Sequence, residues 1–156
     1  MKPEPANAKR SLTDYVRWYD DALPMDFCDR LVAGFEQMTA AQSVNGQGVR
    51  PGLEGSRWTE LNMSLYADVA MKEYFHRQID QYLERYNVEV GLGLPIPPSA
   101  KLSELVIKRY AASLGERFQP HFDSMYDKCD RYMVFLWYLN DVADGGATRF
   151  TDLDVE

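Results

Sequence analysis

Residues 91–110 read GLGLPIPPSAKLSELVIKRY, and the hydrophobic period of the chain changes inside them. Before this stretch apolar residues recur at helical spacing. After it the apolar runs are short, rich in β-branched and aromatic residues, and separated by turn residues, which is how strands read. The glycines and prolines of 91–98 end any preceding helix, because proline lacks the backbone donor and glycine does not favour helical dihedrals. The breakpoint predicts an α+β organisation, helices first and a β-half second.

On the N-terminal side, Phe75, Ile79, Tyr82, Leu83 and Tyr86 predict an amphipathic helix over 67–86, with His76 on it. Phe27, Leu31, Phe35 and Met38 predict another over 25–39, with Pro24 and Asp26 suited to its start. The stretch 39–62 between them carries four glycines and a proline without a period. It reads as a long loop of the functional or mobile kind, with Trp58 a packing residue or a lid over a substrate. Residues 11–23, SLTDYVRWYDDAL, suit an extended strand or an arm packed on the body, and residues 1–11 a loose polar arm. On the C-terminal side, 103–110, 116–124, 131–140 and 147–155 predict strands, with turns at Ser113-Leu114-Gly115 and Asp144-Gly145-Gly146. The third run, RYMVFLWYLN, is apolar on both faces, as in a strand covered from both sides in a sandwich or barrel backed by helices.

The 156 residues suit a single domain: an arm over 1–24, helical support over 25–101 and the β-half over 102–156. Twenty-four acidic against seventeen basic side chains, net −7, disfavour nucleic acid as a partner. The opening MKPEPANAKR has no apolar signal-peptide region and no later window is apolar enough to span a bilayer, so a soluble cytoplasmic protein without membrane association is expected. Cys28 and Cys129, far apart and outside any CxxC spacing, are expected to be buried reduced thiols.

One of only two histidines lies in the triplet His121-Phe122-Asp123, within the second predicted strand. Composition alone yields some His-x-Asp triplet in roughly one such chain in six. In an extended segment, side chains at i and i+2 leave the same face, so imidazole and carboxylate share one space. That nitrogen and oxygen pair suits Fe(II), Mn(II) or Zn(II), and one further histidine completes a facial triad with open coordination positions. The plain alternative is a satisfied histidine beside an exposed aspartate at a strand end.

The surrounding residues extend the comparison. Ile107-Lys108-Arg109-Tyr110, Gly115, Phe118, Pro120-His121-Phe122-Asp123, Arg131-Tyr132 leading into Trp137-Tyr138-Leu139-Asn140-Asp141, and Gly145-Gly146-Ala147-Thr148-Arg149-Phe150 occur in this order. The series resembles the iron(II)/2-oxoglutarate-dependent dioxygenases of the prolyl 4-hydroxylase-like group. The resemblance implies helices packed on a double-stranded β-helix, a jelly roll, and hydroxylation of a substrate C–H bond as 2-oxoglutarate is decarboxylated to succinate, with ascorbate an optional reductant. It implies His121 and Asp123 as Fe(II) ligands, Tyr110 and Thr148 as contacts to 2-oxoglutarate, and Arg131 near the mouth for a small-molecule or peptide substrate. Ala147 stands where the group has glutamate. No histidine follows Asp123, so the group's third ligand and its distal basic residue are not present. The comparison therefore also implies a truncated piece of a longer protein: a jelly roll incomplete at the C-terminus, inactive alone, and pairing through its open sheet edge or face into a homodimer. A non-catalytic jelly-roll module for binding or assembly is the alternative.

Overall fold

The structure, a computed structural model, describes residues 10–98, 101–124, 129–153 and 155. The loose arm read at the N-terminus lies, through residue 9, outside the described residues. Three helices and a three-stranded antiparallel sheet make the fold α+β.

Helix α1 (Met25–Gln37) starts where Pro24 sits at the N-cap, its carbonyl accepting from the Phe27 and Cys28 amides at 3.0 and 3.1 Å. Asp26 lies in the first turn, where its charge complements the helix dipole. Cys28, Leu31 and Phe35 form the buried stripe, and the helix closes at Met38, whose amide donates to Gly34 and Phe35. A four-residue helix, α2 (Met63–Tyr66), is capped by the Asn62 side chain. Helix α3 (Val69–Val90), capped by Asp68, buries Phe75, Ile79, Leu83, Tyr86 and Val90. It runs past the predicted end at 86 because Val90 continues the stripe and Arg85 pairs with Glu89 one turn on. Gly91 stops it at φ 61°, a left-handed cap.

Residues 10–23 pack as an arm on this end of α3. Arg10 donates to the carbonyls of Val90 and Gly91, Tyr86 donates its hydroxyl to the Tyr15 carbonyl, and Tyr19 donates to Glu89. The arm contains a 3-10 turn, Leu12–Tyr15, capped by Ser11, in place of a strand.

The stretch read as a long loop is a hairpin in the structure. After a 3-10 turn at Thr39–Ala41, strand β1 (Ser43–Gly46) pairs antiparallel with β2 (Arg57–Asn62), Asn45 opposite Trp58 and Ser43 opposite Glu60. Strand β3 (Val106–Arg109) pairs antiparallel with the other side of β2, Lys108 opposite Glu60 and Ile107 opposite Leu61. One sheet face packs on the helices: Ile107 of β3 and the preceding Leu105 join the cluster of Leu23, Cys28, Leu31, Met63 and Phe75, as do Trp137 and Leu139 from outside the sheet. The other face carries Trp58, Glu60, Lys108 and Tyr110.

Of the four predicted strands, 103–110 forms a ladder, as β3. The runs 116–124, 131–140 and 147–155 form none among the described residues, which hold only the isolated bridges Arg57–Arg117 and Phe150–Val155. A ladder needs a neighbour to exchange backbone hydrogen bonds, and alternation alone supplies none. Residues 131–139 do alternate, with Arg131, Met133, Phe135, Trp137 and Leu139 half-buried between exposed Tyr132, Val134, Leu136 and Tyr138. Cys28 and Cys129 are both free thiols, Cys28 buried and Cys129 exposed, a correction to the expected burial that follows from its polar surroundings, Asp130 among them. No helix among the described residues is long and apolar enough to cross a membrane.

Candidate metal site

The hairpin missed from the sequence holds the His-x-Asp segment. Arg57 and Arg117 exchange both backbone hydrogen bonds, at 2.9 and 3.0 Å. Gln119 then clamps the β1–β2 connection. Its amide nitrogen donates to Gly52 O at 2.9 Å, its side-chain oxygen accepts from Gly55 N at 2.7 Å, and its backbone N–H donates to Ser56 Oγ at 3.0 Å. Glu116, buried at 8% exposure, accepts from the Ala111 amide and lies 3.7 Å from Arg57 Nε, fixing the turn that leads from β3 into this segment.

With Gln119 fixed, its carbonyl lies 2.8 Å from His121 Nδ1. A carbonyl only accepts, so Nδ1 carries the proton and the lone pair of a neutral imidazole is at Nε2. Nε2 in turn lies 3.4 Å from Asp123 Oδ1. Two atoms presenting lone pairs face each other, a nitrogen and oxygen donor pair of the kind that divalent metal ions take. The imidazole is also stacked on Phe118 at 3.7 Å between ring centres and 12° between planes, and Phe118 in turn packs on Trp58 at 4.6 Å. Trp58 is fully buried, so packing is its role. A backbone carbonyl that sets the tautomer and a ring that sets the orientation are the supports a metal-binding histidine needs.

The other predicted residues fall in three places. Arg131 and Asp123 line one open depression of about 410 Å³, together with Phe122, Tyr132 and Val134. Tyr110 stands on the open sheet face, and burial and the negative charge of Glu60 push its phenol up to about 12. Thr148 stands elsewhere, exposed, its hydroxyl accepting from Tyr138 Oη at 2.6 Å. His76 is exposed on α3. No group of three or more potential metal ligands occurs among the described residues, so His121 and Asp123 are a pair.

Two residues absent from the sequence reading of the site belong to it. Glu60 accepts from Asn45 Nδ2 at 2.8 Å and from Trp58 Nε1 at 2.6 Å. Lys108, opposite it in register, reaches over Trp58 and Phe118. The signal was available in the i, i+2 relation of Lys108 to Tyr110, which puts both on one face of β3. Comparison with family models, with curated proteins and with solved structures finds no match to this chain.

Proposed function

We propose that the chain carries an Fe(II) site, with two protein ligands, of a 2-oxoglutarate-dependent dioxygenase similar to the prolyl 4-hydroxylase group, built on a double-stranded β-helix. The single observation behind this reading is the His121 Nε2 lone pair held 3.4 Å from Asp123 Oδ1 by the Gln119 carbonyl. A nitrogen and oxygen donor set of this kind fits a borderline divalent metal. Fe(II) with 2-oxoglutarate would supply the oxidising chemistry, activation of oxygen coupled to loss of carbon dioxide. The chain's residues hold and orient. His121 and Asp123 bind the metal, Tyr110 offers a phenol proton to a carboxylate, Arg131 attracts an anionic portion of a substrate at the mouth, and Thr148 lines the cosubstrate side once the neighbouring strands pair. With two protein ligands the affinity for iron is weak and the chain alone does not turn over.

The test is an anaerobic titration of the full chain with Fe(II) and 2-oxoglutarate, following the metal-to-ligand charge-transfer absorption. The band is expected at millimolar Fe(II) and should vanish in Asp123→Ala. Wild-type protein that shows no band would sink the assignment. A second reading, a binding or assembly module that pairs with a second copy of itself, draws support from the exposed Tyr132, Val134, Leu136 and Tyr138 on the open face. The two readings are compatible, because a site incomplete in one chain leaves its open face free for a partner.

A further inference from the structure

We propose that Gln119 is a positioning residue through which the β1–β2 connection sets the tautomer of His121 and, with it, the affinity of the site for metal, an inference that rests on the reading of His121 and Asp123 as metal ligands. Gln119 is held to the connection at three points, by Gly52 O, Gly55 N and the buried Ser56 Oγ. The connection is itself braced there: Arg117 Nε donates to Gly55 O at 3.2 Å, and the Leu53 and Ser56 amides close turns onto the Arg50 and Leu53 carbonyls. Between Gln119 and His121 stands Pro120, which fixes its own φ, has no N–H to compete for a carbonyl, and restricts the residue before it to extended dihedrals. The span from the anchored amide to the imidazole is therefore short and stiff, and it delivers the Gln119 carbonyl to 2.8 Å from Nδ1.

Two acceptors compete for the single ring proton of a neutral His121. The Gln119 carbonyl takes it at Nδ1, and Asp123 Oδ1, 3.4 Å from Nε2, takes it when the proton sits there instead. The consequences for metal are opposite. With the proton on Nδ1, Nε2 and Asp123 both offer lone pairs. With the proton on Nε2, the two ligands bond to each other and the ring has no lone pair on the Asp123 side. The Phe118 ring, stacked at 12°, fixes the plane of the imidazole but meets either tautomer alike. The choice therefore falls to the carbonyl, which must not turn away while the Nε2 and Asp123 lone pairs repel each other, and the three-point clamp holds it. A clamp serving the hairpin alone would need the bonds to Gly52, Gly55 and Ser56 but not a carbonyl aimed at Nδ1.

Because the chain has only two histidines, the tautomer can be read directly. In the full chain with isotope-labelled histidine, long-range proton–nitrogen correlation NMR at about pH 8, where a free imidazole is neutral, shows which ring nitrogen of His121 carries the proton. His76, exposed on α3, is the internal reference. The wild type is expected to favour Nδ1 by roughly fivefold, the worth of one hydrogen bond of ordinary net strength. Gln119→Ala keeps the backbone carbonyl but removes both side-chain anchors, and should invert the ratio in favour of Nε2, because Asp123 is a charged acceptor. Gly55→Ala, whose Cβ would lie 2.9 Å from Gln119 Oε1, displaces the same amide from the loop side and should shift the ratio in the same direction. Zn(II), a diamagnetic stand-in for Fe(II), followed at the His121 ring nitrogens, should bind about fivefold more weakly to Gln119→Ala, in step with the population of the binding tautomer. A proton on Nε2 in the wild type, or one that stays on Nδ1 in both variants, overturns the inference and leaves Gln119 a clamp of the hairpin. An inverted tautomer with unchanged Zn(II) affinity overturns the link to metal. Zn(II) that never reaches His121 in the wild type refutes the metal-ligand reading instead, while an inverted tautomer still shows Gln119 in control of the ring, and the charge-transfer band tests the dioxygenase reading separately.

Discussion

A tyrosine on an open sheet face would ordinarily titrate near 10, and Tyr110 is held up to about 12 by burial and the Glu60 charge. Between those values the unfolded chain releases the phenol proton while the folded chain keeps it, so stability falls as pH rises through the window. Tyr110→Phe should flatten that fall, read from urea unfolding at about pH 9 and about pH 11. Tyr110 is 42% exposed, so solvent screening makes the effect smaller than the full shift implies. An equal fall in the Phe variant would show that Tyr110 is not the source. The site is legible in the sequence where its geometry is local: His121 and Asp123 are two residues apart, and their side chains meet at 3.4 Å. Glu60 and Lys108 meet through sheet pairing, and Gln119 is held by its bonds to Gly52, Gly55 and Ser56, neither of which local spacing encodes.

At the scale of elements, the β1–β2 hairpin carries most of the site's rigidity, and Gly46 is the position on which it depends. Gly46 has φ 93°, and a Cβ there would lie 2.3 Å from the Ser56 carbonyl oxygen. Gly46→Ala therefore combines an unfavourable dihedral with a backbone clash, and a loss of at least about 3 kcal/mol is expected. Gly48→Ala has a comparable dihedral, φ 76°, but nothing within 4 Å. It should lose only about 1 kcal/mol. The comparison is made by urea midpoints, and equal losses would contradict the steric account. Helices α1 and α3 were readable because an apolar stripe at helical spacing is a local pattern long enough to stand out. The hairpin was not, since β1 is the four residues Ser43–Gly46 and the glycines that permit its turn resemble those of an unstructured loop. Residues 131–140 fail in the opposite way, with a strand's alternation and no neighbour to pair with among the described residues.

For the whole molecule, the accessible surface is 12134 Å². A compact monomer of this mass exposes roughly 8,000 Å². Part of the excess is apolar and continuous in sequence: Tyr132, Val134, Leu136 and Tyr138 are 66%, 48%, 60% and 63% exposed. β3, like β1, forms an edge of the sheet. An exposed apolar row and an unpaired strand edge each favour association, one through side-chain burial and the other through added backbone hydrogen bonds. A second copy presents the same face, and a two-fold pairing satisfies both at once. Sedimentation velocity should therefore show the chain, 18.0 kDa as a monomer, moving as a dimer at micromolar concentration. Leu136→Glu places a charge at the centre of the exposed row without touching the helix-facing positions, so it should yield a monomer with unchanged circular dichroism. A wild type that stays monodisperse as a monomer excludes the homodimer, and a Glu variant that still dimerises moves the interface from this face to a sheet edge.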